Sequence, residues 1–303
     1  MRTSGNLIHT PVLLNEVITY LNVKPGGKYI DCTVGAGGHA TEILKLGGEI
    51  LGLDQDPQSV KIARRNLESC PGKYKLVVAN FSKISQVAKT EGFENVEGVL
   101  MDLGFASFQI DDPTRGLSFS KDGLLDMRLD PNLGVTAADL VNSLPERELE
   151  RLFREIGEEL KAQAIARAIA EQRRIKPFKS TRELAELVER SNSTHWSNRS
   201  NLHPATRVFM ALRIAVNSEL ENLKVALPQA FELLKPGGRL AIISFHSGED
   251  RIVKTAFRDW EKTGKARAIT KKPLVPSQLE VDTNPRARSA KLRVIEKHDK
   301  STI

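Results

Sequence analysis

Tyr29-Ile30-Asp31-Cys32-Thr33-Val34-Gly35-Ala36-Gly37-Gly38-His39 is a short apolar strand running straight into a glycine-rich turn. A second apolar strand, Glu49-Ile50-Leu51-Gly52-Leu53, follows and ends in Asp54. Glycines let the backbone turn sharply and let a ligand come close to the main chain. A carboxylate at the tip of the neighbouring strand can accept both hydroxyls of a ribose. Together these residues predict a pocket for a nucleoside-containing cofactor.

Working outward, Thr10-Pro11 starts a helix, with threonine as cap and proline at the first helical position. Its apolar face is Val12, Leu13, Val17, Ile18 and Leu21. The turn Lys24-Pro25-Gly26-Gly27 leads into a strand over 28–32, and a helix follows the glycine turn through Leu46. After the strand at 49–53, Asp56-Pro57 caps a helix to about Ser69. Further strands are expected from Tyr74 to Ala79 and from Glu97 to Met101, the latter ending at Asp102. Such alternation means parallel strands with right-handed crossovers. From about 115 to 205 it gives way to helical runs: Pro145 to Arg174, then a helix to Arg190 opened by the capping box Ser180-x-x-Glu183.

The alternating pattern resumes with a long helix from Ala205 to Ala226 and a run from Pro228 to Leu234. The turn Lys235-Pro236-Gly237-Gly238, a strand at 239–245, a helix from Glu249 to Trp260 with Ser247 as cap, and a strand from Lys291 to Glu296 complete it. Between the last two, about 264–290, lie a strand and a long basic loop. The expected fold is α/β and Rossmann-like: a doubly wound, mostly parallel sheet with an inserted all-helical domain. Its parts are 1–114 and 206–303 for the sheet domain and 115–205 for the insertion.

The 303 residues are 40% hydrophobic and 27% charged, ordinary for a soluble globular protein. No apolar run approaches the ~20 residues of a membrane span. Met1-Arg2-Thr3-Ser4-Gly5-Asn6 lacks the apolar core of a signal peptide. Cys32 and Cys70 make neither a disulfide framework nor a zinc spacing, and no metal-binding constellation is read. The expectation is a cytoplasmic protein without a membrane partner. Lys plus Arg number 45 against 38 acids, an excess that suits an RNA or DNA partner.

Gly35-x-Gly37-x-x-Ala40, with Asp54 beyond it, also fits the dinucleotide fingerprint of a nicotinamide-dependent oxidoreductase. That fingerprint serves a pyrophosphate at a helix N-terminus. S-adenosylmethionine has no phosphate; it carries an ammonium, a carboxylate, a ribose, an adenine and a sulfonium cation. Asp31, Asp54 and Asp102 end three strands, and parallel strands open on one edge. Three converging carboxylates suit a cationic cofactor and repel a pyrophosphate.

Over nearly its whole length the chain resembles the bacterial ribosomal RNA small subunit methyltransferase H family. The resemblance rests on His9-Thr10-Pro11-Val12-Leu13-Leu14-Asn15-Glu16, Asp31-Cys32-Thr33 with Gly35-x-Gly37-Gly38-His39, and Leu53-Asp54-x-Asp56-Pro57. It continues through Asp102-Leu103-Gly104 to Gln109, Arg115-Gly116-Leu117-Ser118-Phe119, Leu125-Asp126-Met127-Arg128, His203-Pro204-Ala205-Thr206-Arg207 and Ser244-Phe245-His246-Ser247. Glu249-Asp250-Arg251 and Arg286-Ala287-Arg288-Ser289-Ala290-Lys291-Leu292-Arg293 close it. Two departures stand out: Phe105-Ala106-Ser107 where the family has Val-Ser-Ser, and Gly248 where it has Leu. The first reshapes the expected target-base pocket; the second loosens a helix start.

The resemblance implies a class I methyltransferase that transfers methyl from S-adenosylmethionine to the N4 amine of a cytidine in small-subunit rRNA, within the assembled small subunit. It places cofactor contacts at Gly37, Gly38, His39, Asp54, Phe81, Asp102 and Gln109. The glycines and His39 would line the methionine end, Asp54 the ribose, Phe81 the adenine, and Asp102 with Gln109 the transfer site.

The amine of cytosine is a poor nucleophile, so it must be held in line and relieved of a proton during attack. Asp102, after the fourth strand, is the expected catalytic group, and His246, at the end of the fifth, the second candidate. A target base must leave its stack to reach them. Phosphate contacts are expected from Arg167, Arg173, Arg174, Lys176, Lys179 and Arg182 of the insertion and from Lys271, Lys272, Arg286 and Arg288 of the basic loop. Taken alone, Asp31 reads as a hydrogen-bond partner of the glycine turn, His39 as a helix cap, Phe81 as core, and Trp196 and Trp260 as packing residues. A non-catalytic ribosome-assembly factor is the remaining alternative, and a homodimer is left open.

Overall fold

The computed structural model describes residues 11–192 and 203–298. Thr10 and Trp196 lie outside the described residues. The chain forms two compact units, one of residues 1–106 and 220–303 and the other of residues 107–219.

In chain order the first unit opens with α1 (Leu14–Leu21), β1 (Lys28–Asp31), α2 (Gly38–Lys45), β2 (Glu49–Asp54), α3 (Pro57–Leu67), β3 (Tyr74–Val78), α4 (Ile84–Glu91) and β4 (Val96–Asp102). The second unit holds α5 (Ser107–Asp111), α6 (Ala137–Ser143), α7 (Glu146–Arg151), α8 (Ala162–Ile175), α9 (Thr181–Asn192) and α10 (Ala205–Asn217). The chain then returns through α11 (Glu219–Leu233), β5 (Leu234–Ser244), α12 (Ser247–Lys262), β6 (Ala266–Ala268), α13 (Gln278–Thr283) and β7 (Lys291–Lys297).

The seven strands form one sheet in the order β3-β2-β1-β4-β5-β7-β6. The first five run parallel, and β7 and β6 add antiparallel at the far edge. Successive side chains of a strand face opposite sides, and both sides are buried here. Tyr29, Ile50, Leu100, Ala241 and Ile243 pack with Val17, Leu21, Ile43 and Leu67 of α1–α3. Ile30, Leu51, Leu53, Met101 and Ile242 pack with Ile84, Phe231, Val253 and Phe257 of α4, α11 and α12. Burial on both faces is why these strands read as continuous apolar runs. Trp260 belongs to the second core and stacks on Phe231 with ring centroids 4.3 Å apart.

Among the described residues no helix is long and apolar enough to cross a membrane. Among the described residues of the second unit no strand forms; an isolated bridge joins Leu124 to Ser180. The capping box is present, with Ser180 Oγ accepting from Glu183 N at 3.3 Å and Glu183 Oε2 accepting from Ser180 N at 3.2 Å.

Four helical expectations need correction. The first helix does not begin at Pro11: Leu13 is left-handed, so α1 starts at Leu14, and Val12 and Leu13 lie before it. The run Pro145 to Arg174 is not one helix: α7 passes into a π turn at Leu152–Ile156 and α8 starts only at Ala162. At the break, a Cβ on Gly157 would come 2.7 Å from the Phe153 carbonyl and 2.8 Å from that of Arg207, so two backbones meet where only glycine fits. The run Ala205 to Ala226 breaks at Ser218, which takes the left-handed φ of 49°. The Arg213 guanidinium spans this break with two 2.8 Å bonds to Glu219. Pro228 then lies inside α11 rather than at a helix start. Finally, α12 is capped at His246, not Ser247: Glu249 Oε2 accepts from the Phe245 N–H at 2.8 Å and the His246 N–H at 3.4 Å.

Candidate active site

Asp31, Asp54 and Asp102 share the strand parity of Tyr29, Ile50 and Leu100, so all three project toward the α1–α3 side at the C-terminal edge of the sheet. Each is held differently. Asp31 Oδ1 accepts from Thr33 N at 3.1 Å. Asp54 Oδ2 accepts from Gly35 N at 3.0 Å, and its Oδ1 from Asp56 N at 2.9 Å. The backbone N–H of Asp102 donates to Thr33 Oγ1 at 2.7 Å, but its own Oδ1 is shut away from solvent without a hydrogen-bond partner. Thr33 therefore ties the glycine turn to the tip of β4.

The edge is strongly electronegative. Burial pushes the Asp31 carboxyl up to about 7, with Asp54 adding to the rise, and Asp54 up to about 6. Burial raises Asp102 well above the usual carboxylate range, and Asp31 and Glu249 push it further. Buried carboxylates that repel one another favour a cation in their midst.

Gly37 precedes α2 with φ 86°, which glycine adopts freely. The space a Cβ would need on Gly38 is filled by the Pro11 ring, so that glycine admits a close approach of the 11–13 segment. His39 is not a cap. It is buried, with Nε2 3.1 Å from the Val12 carbonyl oxygen and Nδ1 3.9 Å from Asp102 Oδ2. Phe81 follows β3 and is partly buried against the α4 side of the core. Asn80 beside it donates to Gln55 Oε1 at 2.7 Å, drawing together the tips of β2 and β3. Gln109 lies on α5 and is buried within the second unit's part of the chain.

His246 Nε2 is buried without a hydrogen bond, although Glu249 Oε1 is 3.3 Å away. Gly248 gives this ring room, since a Cβ there would stand 3.1 Å from His246 Nδ1. The helix starts at Ser247 despite that glycine, because Glu249 secures the preceding backbone. Sequence reasoning assigned no role to Ser244, whose buried Oγ also lacks a partner, or to the buried Glu249. An acid three residues beyond a strand-end histidine was the available signal for Glu249. For Ser244 it was its place at the head of the motif Ser244-Phe245-His246-Ser247.

The expected phosphate contacts divide. In the second unit Arg167 bonds Glu171, Arg173 the Val141 carbonyl, Lys176 Glu183, and Arg182 sits 3.8 Å from Asp122. In the first unit Lys271, Lys272 and Arg288 are exposed and form no ion pair among the described residues.

A doubly wound sheet whose parallel strands end in clustered carboxylates beside a glycine turn is a methyltransferase arrangement, since those charges would repel a dinucleotide's pyrophosphate. The chain belongs to the MraW methylase family, whose model matches residues 6–298. It is 50% identical over 305 residues to the ribosomal RNA small subunit methyltransferase H of Carboxydothermus hydrogenoformans, covering 95% of this chain and 97% of that protein. The protein of the same name from Syntrophobacter fumaroxidans is 44% identical over 98% of each chain. A crystal structure of an rRNA methylase from Streptococcus thermophilus aligns with a TM-score of 0.43 and 11% identity, covering 95% of this chain and 93% of that one.

Proposed function

We propose that the protein methylates the exocyclic N4 amine of a cytidine in small-subunit ribosomal RNA, using S-adenosylmethionine, on a base turned out of its stack within the assembled subunit. The observation that carries this reading is Asp102 Oδ1: a buried carboxylate oxygen without a partner, at the edge where Asp31 and Asp54 also end. Buried polar atoms in folded proteins are paired with few exceptions. An unpaired acceptor in an acidic recess fits a cationic cofactor and an amine donor. The names of the relatives support the rRNA substrate.

The residues present suit the cofactor. When bound, it supplies an electrophilic methyl group on a sulfonium. Asp54 has both oxygens fixed by backbone N–H groups, with Ser59 hydrogen-bonded to it as well, and stands at the strand tip where a ribose hydroxyl can donate to it. The turn at Gly37 and Gly38 brings main-chain amides to the methionine carboxylate. Phe81 offers adenine an apolar face. Asp102 would accept a hydrogen bond from the amine and take its proton as the N–C bond forms and the methyl–sulfur bond breaks, leaving the cofactor as the neutral thioether. Burial, with Asp31 and Glu249 beside it, raises its affinity for a proton, the direction a proton acceptor needs. His246 is the second acceptor. Lys271, Lys272 and Arg288 meet RNA phosphates on the first unit's surface.

The test is transfer of labelled methyl from S-adenosylmethionine to small ribosomal subunits lacking the modification, with the product nucleoside identified by mass spectrometry. N4-methylcytidine is the expected product. A methyl on another atom, or no transfer to subunits or naked RNA, overturns the reading.

A further inference from the structure

Residues 11–13 join parts of the first unit that are remote in sequence. Leu13 is fully buried and holds φ 52°, ψ 37°, a left-handed conformation a bulky residue keeps only when its surroundings over-determine it. Glu280, on α13 between β6 and β7, supplies that constraint: its Oε1 accepts the Leu13 N–H at 2.7 Å across 267 residues of sequence. On one side of Leu13, the Pro11 ring lies in the space left by the missing Cβ of Gly38. The Val12 carbonyl accepts from His39 Nε2 at 3.1 Å, which assigns the ring proton to that nitrogen. Nδ1 is then the atom that faces Asp102 Oδ2, at 3.9 Å.

We propose that Glu280 is a positioning residue for the site: it pins the 11–13 turn, the turn orients the His39 ring, and the ring sets what Asp102 faces. The kinetic consequence rests on the methyl-transfer reading above. With Nε2 committed to Val12, the Nδ1 side of the ring is what Asp102 meets, so the placement of the ring sets how readily Asp102 takes the amine proton. The charged groups acting on Asp102 besides His39 are Asp31 from β1 and Glu249 from α12. Both stay in place when Glu280 is changed, so a response to that change passes through the turn.

The experiment compares Glu280→Ala and Glu280→Gln in the full chain by two readouts. One is methyl-transfer kinetics across pH. The other is the ring nitrogen NMR signals of His39, assigned by their loss in His39→Gln. Glu280→Ala is expected to lower kcat about ten-fold with KM for the RNA unchanged, and to displace the ring nitrogen signals of His39. Glu280→Gln keeps an oxygen that accepts from Leu13, and is expected to restore both. Glu280→Asp, with its shorter reach, replaces the alanine variant if that variant does not fold. The proposal is overturned if the His39 signals and kcat ignore the truncation, or if Glu280→Gln is as impaired as Glu280→Ala. A wild-type protein without transfer activity whose His39 signals still move would remove the methyl-transfer reading and leave the positioning role standing.

Discussion

Asn217 at the end of α10 and the Oδ1 atom of Asp102 at the end of β4 are both shut away from solvent, and the molecule treats them in opposite ways. Asn217 Oδ1 accepts from Leu129 N at 2.8 Å, while its Nδ2 donates to the carbonyls of Met127 at 2.8 Å and Arg213 at 2.9 Å. Beside it Arg128 makes two 2.8 Å bonds to Asp126 and a third to the Leu133 carbonyl at 2.7 Å. These bonds serve the fold, and the one to the Met127 carbonyl helps hold that residue at its left-handed φ of 66°. At the sheet edge Asp102 Oδ1, Ser244 Oγ and His246 Nε2 have no hydrogen-bond partner. An unmet buried polar group costs about 1–3 kcal/mol, so three at one edge mark where binding rather than folding is served.

That contrast can be broken most forcefully at Asp102. Asp102→Asn is expected to reduce methyl transfer by roughly 10²–10⁴-fold, while the melting temperature stays level or rises because the Oδ1 it alters has no hydrogen bond to lose. Near-normal turnover in that variant would break the comparison. Asn217→Ala should do the reverse. Leaving the Leu129 N–H and the Met127 carbonyl unmet should destabilise the fold by about 2–4 kcal/mol in denaturant titration. Enzyme that remains folded should keep the kcat of the parent.

The pH dependence sharpens it further. Asp31 and Asp54 have carboxyls raised from 3.8 to about 7 and about 6, so the folded state binds their protons more tightly than the unfolded chain does. The stability these two groups lend the unliganded fold should therefore fall as pH rises from about 4 to about 7. S-adenosylmethionine should regain more of it at pH 8 than at pH 5.5, and S-adenosylhomocysteine, which has no sulfonium charge, should regain less. Thermal melts at the two pH values, with and without each ligand, check this. A ligand benefit independent of pH would detach the carboxylates from binding. The smallest effect is expected at Ser244. Ser244→Ala removes a hydroxyl that bonds to nothing, so stability should change by no more than about 1 kcal/mol. A large loss would show a role in the fold that the Asn217 comparison denies it.

Much of the sheet was legible because its information is local. Strand parity alone places Asp31, Asp54 and Asp102 on one side, since side chains alternate along a strand, and parallel strands bring their ends to one edge. Asp56-Pro57 and Ser180-x-x-Glu183 announce helix starts through bonds spanning two or three residues. The breaks at Gly157 and Ser218 were not legible in this way. The first depends on where the Arg207 backbone passes, and the second lies in a run without glycine or proline, held by the Arg213–Glu219 pair and the Asn217 contacts.

By itself, then, the sequence determined the alternating architecture, the acidic strand tips and the family motifs, all patterns read within a few residues of one another. Only the tertiary structure decided which of those groups is left unpaired, which arginines and lysines of the helical unit are already engaged, and that Glu280 reaches Leu13. Those outcomes depend on residues up to 267 positions apart meeting in space. No local propensity or spacing encodes such a meeting; it exists only once the core has closed.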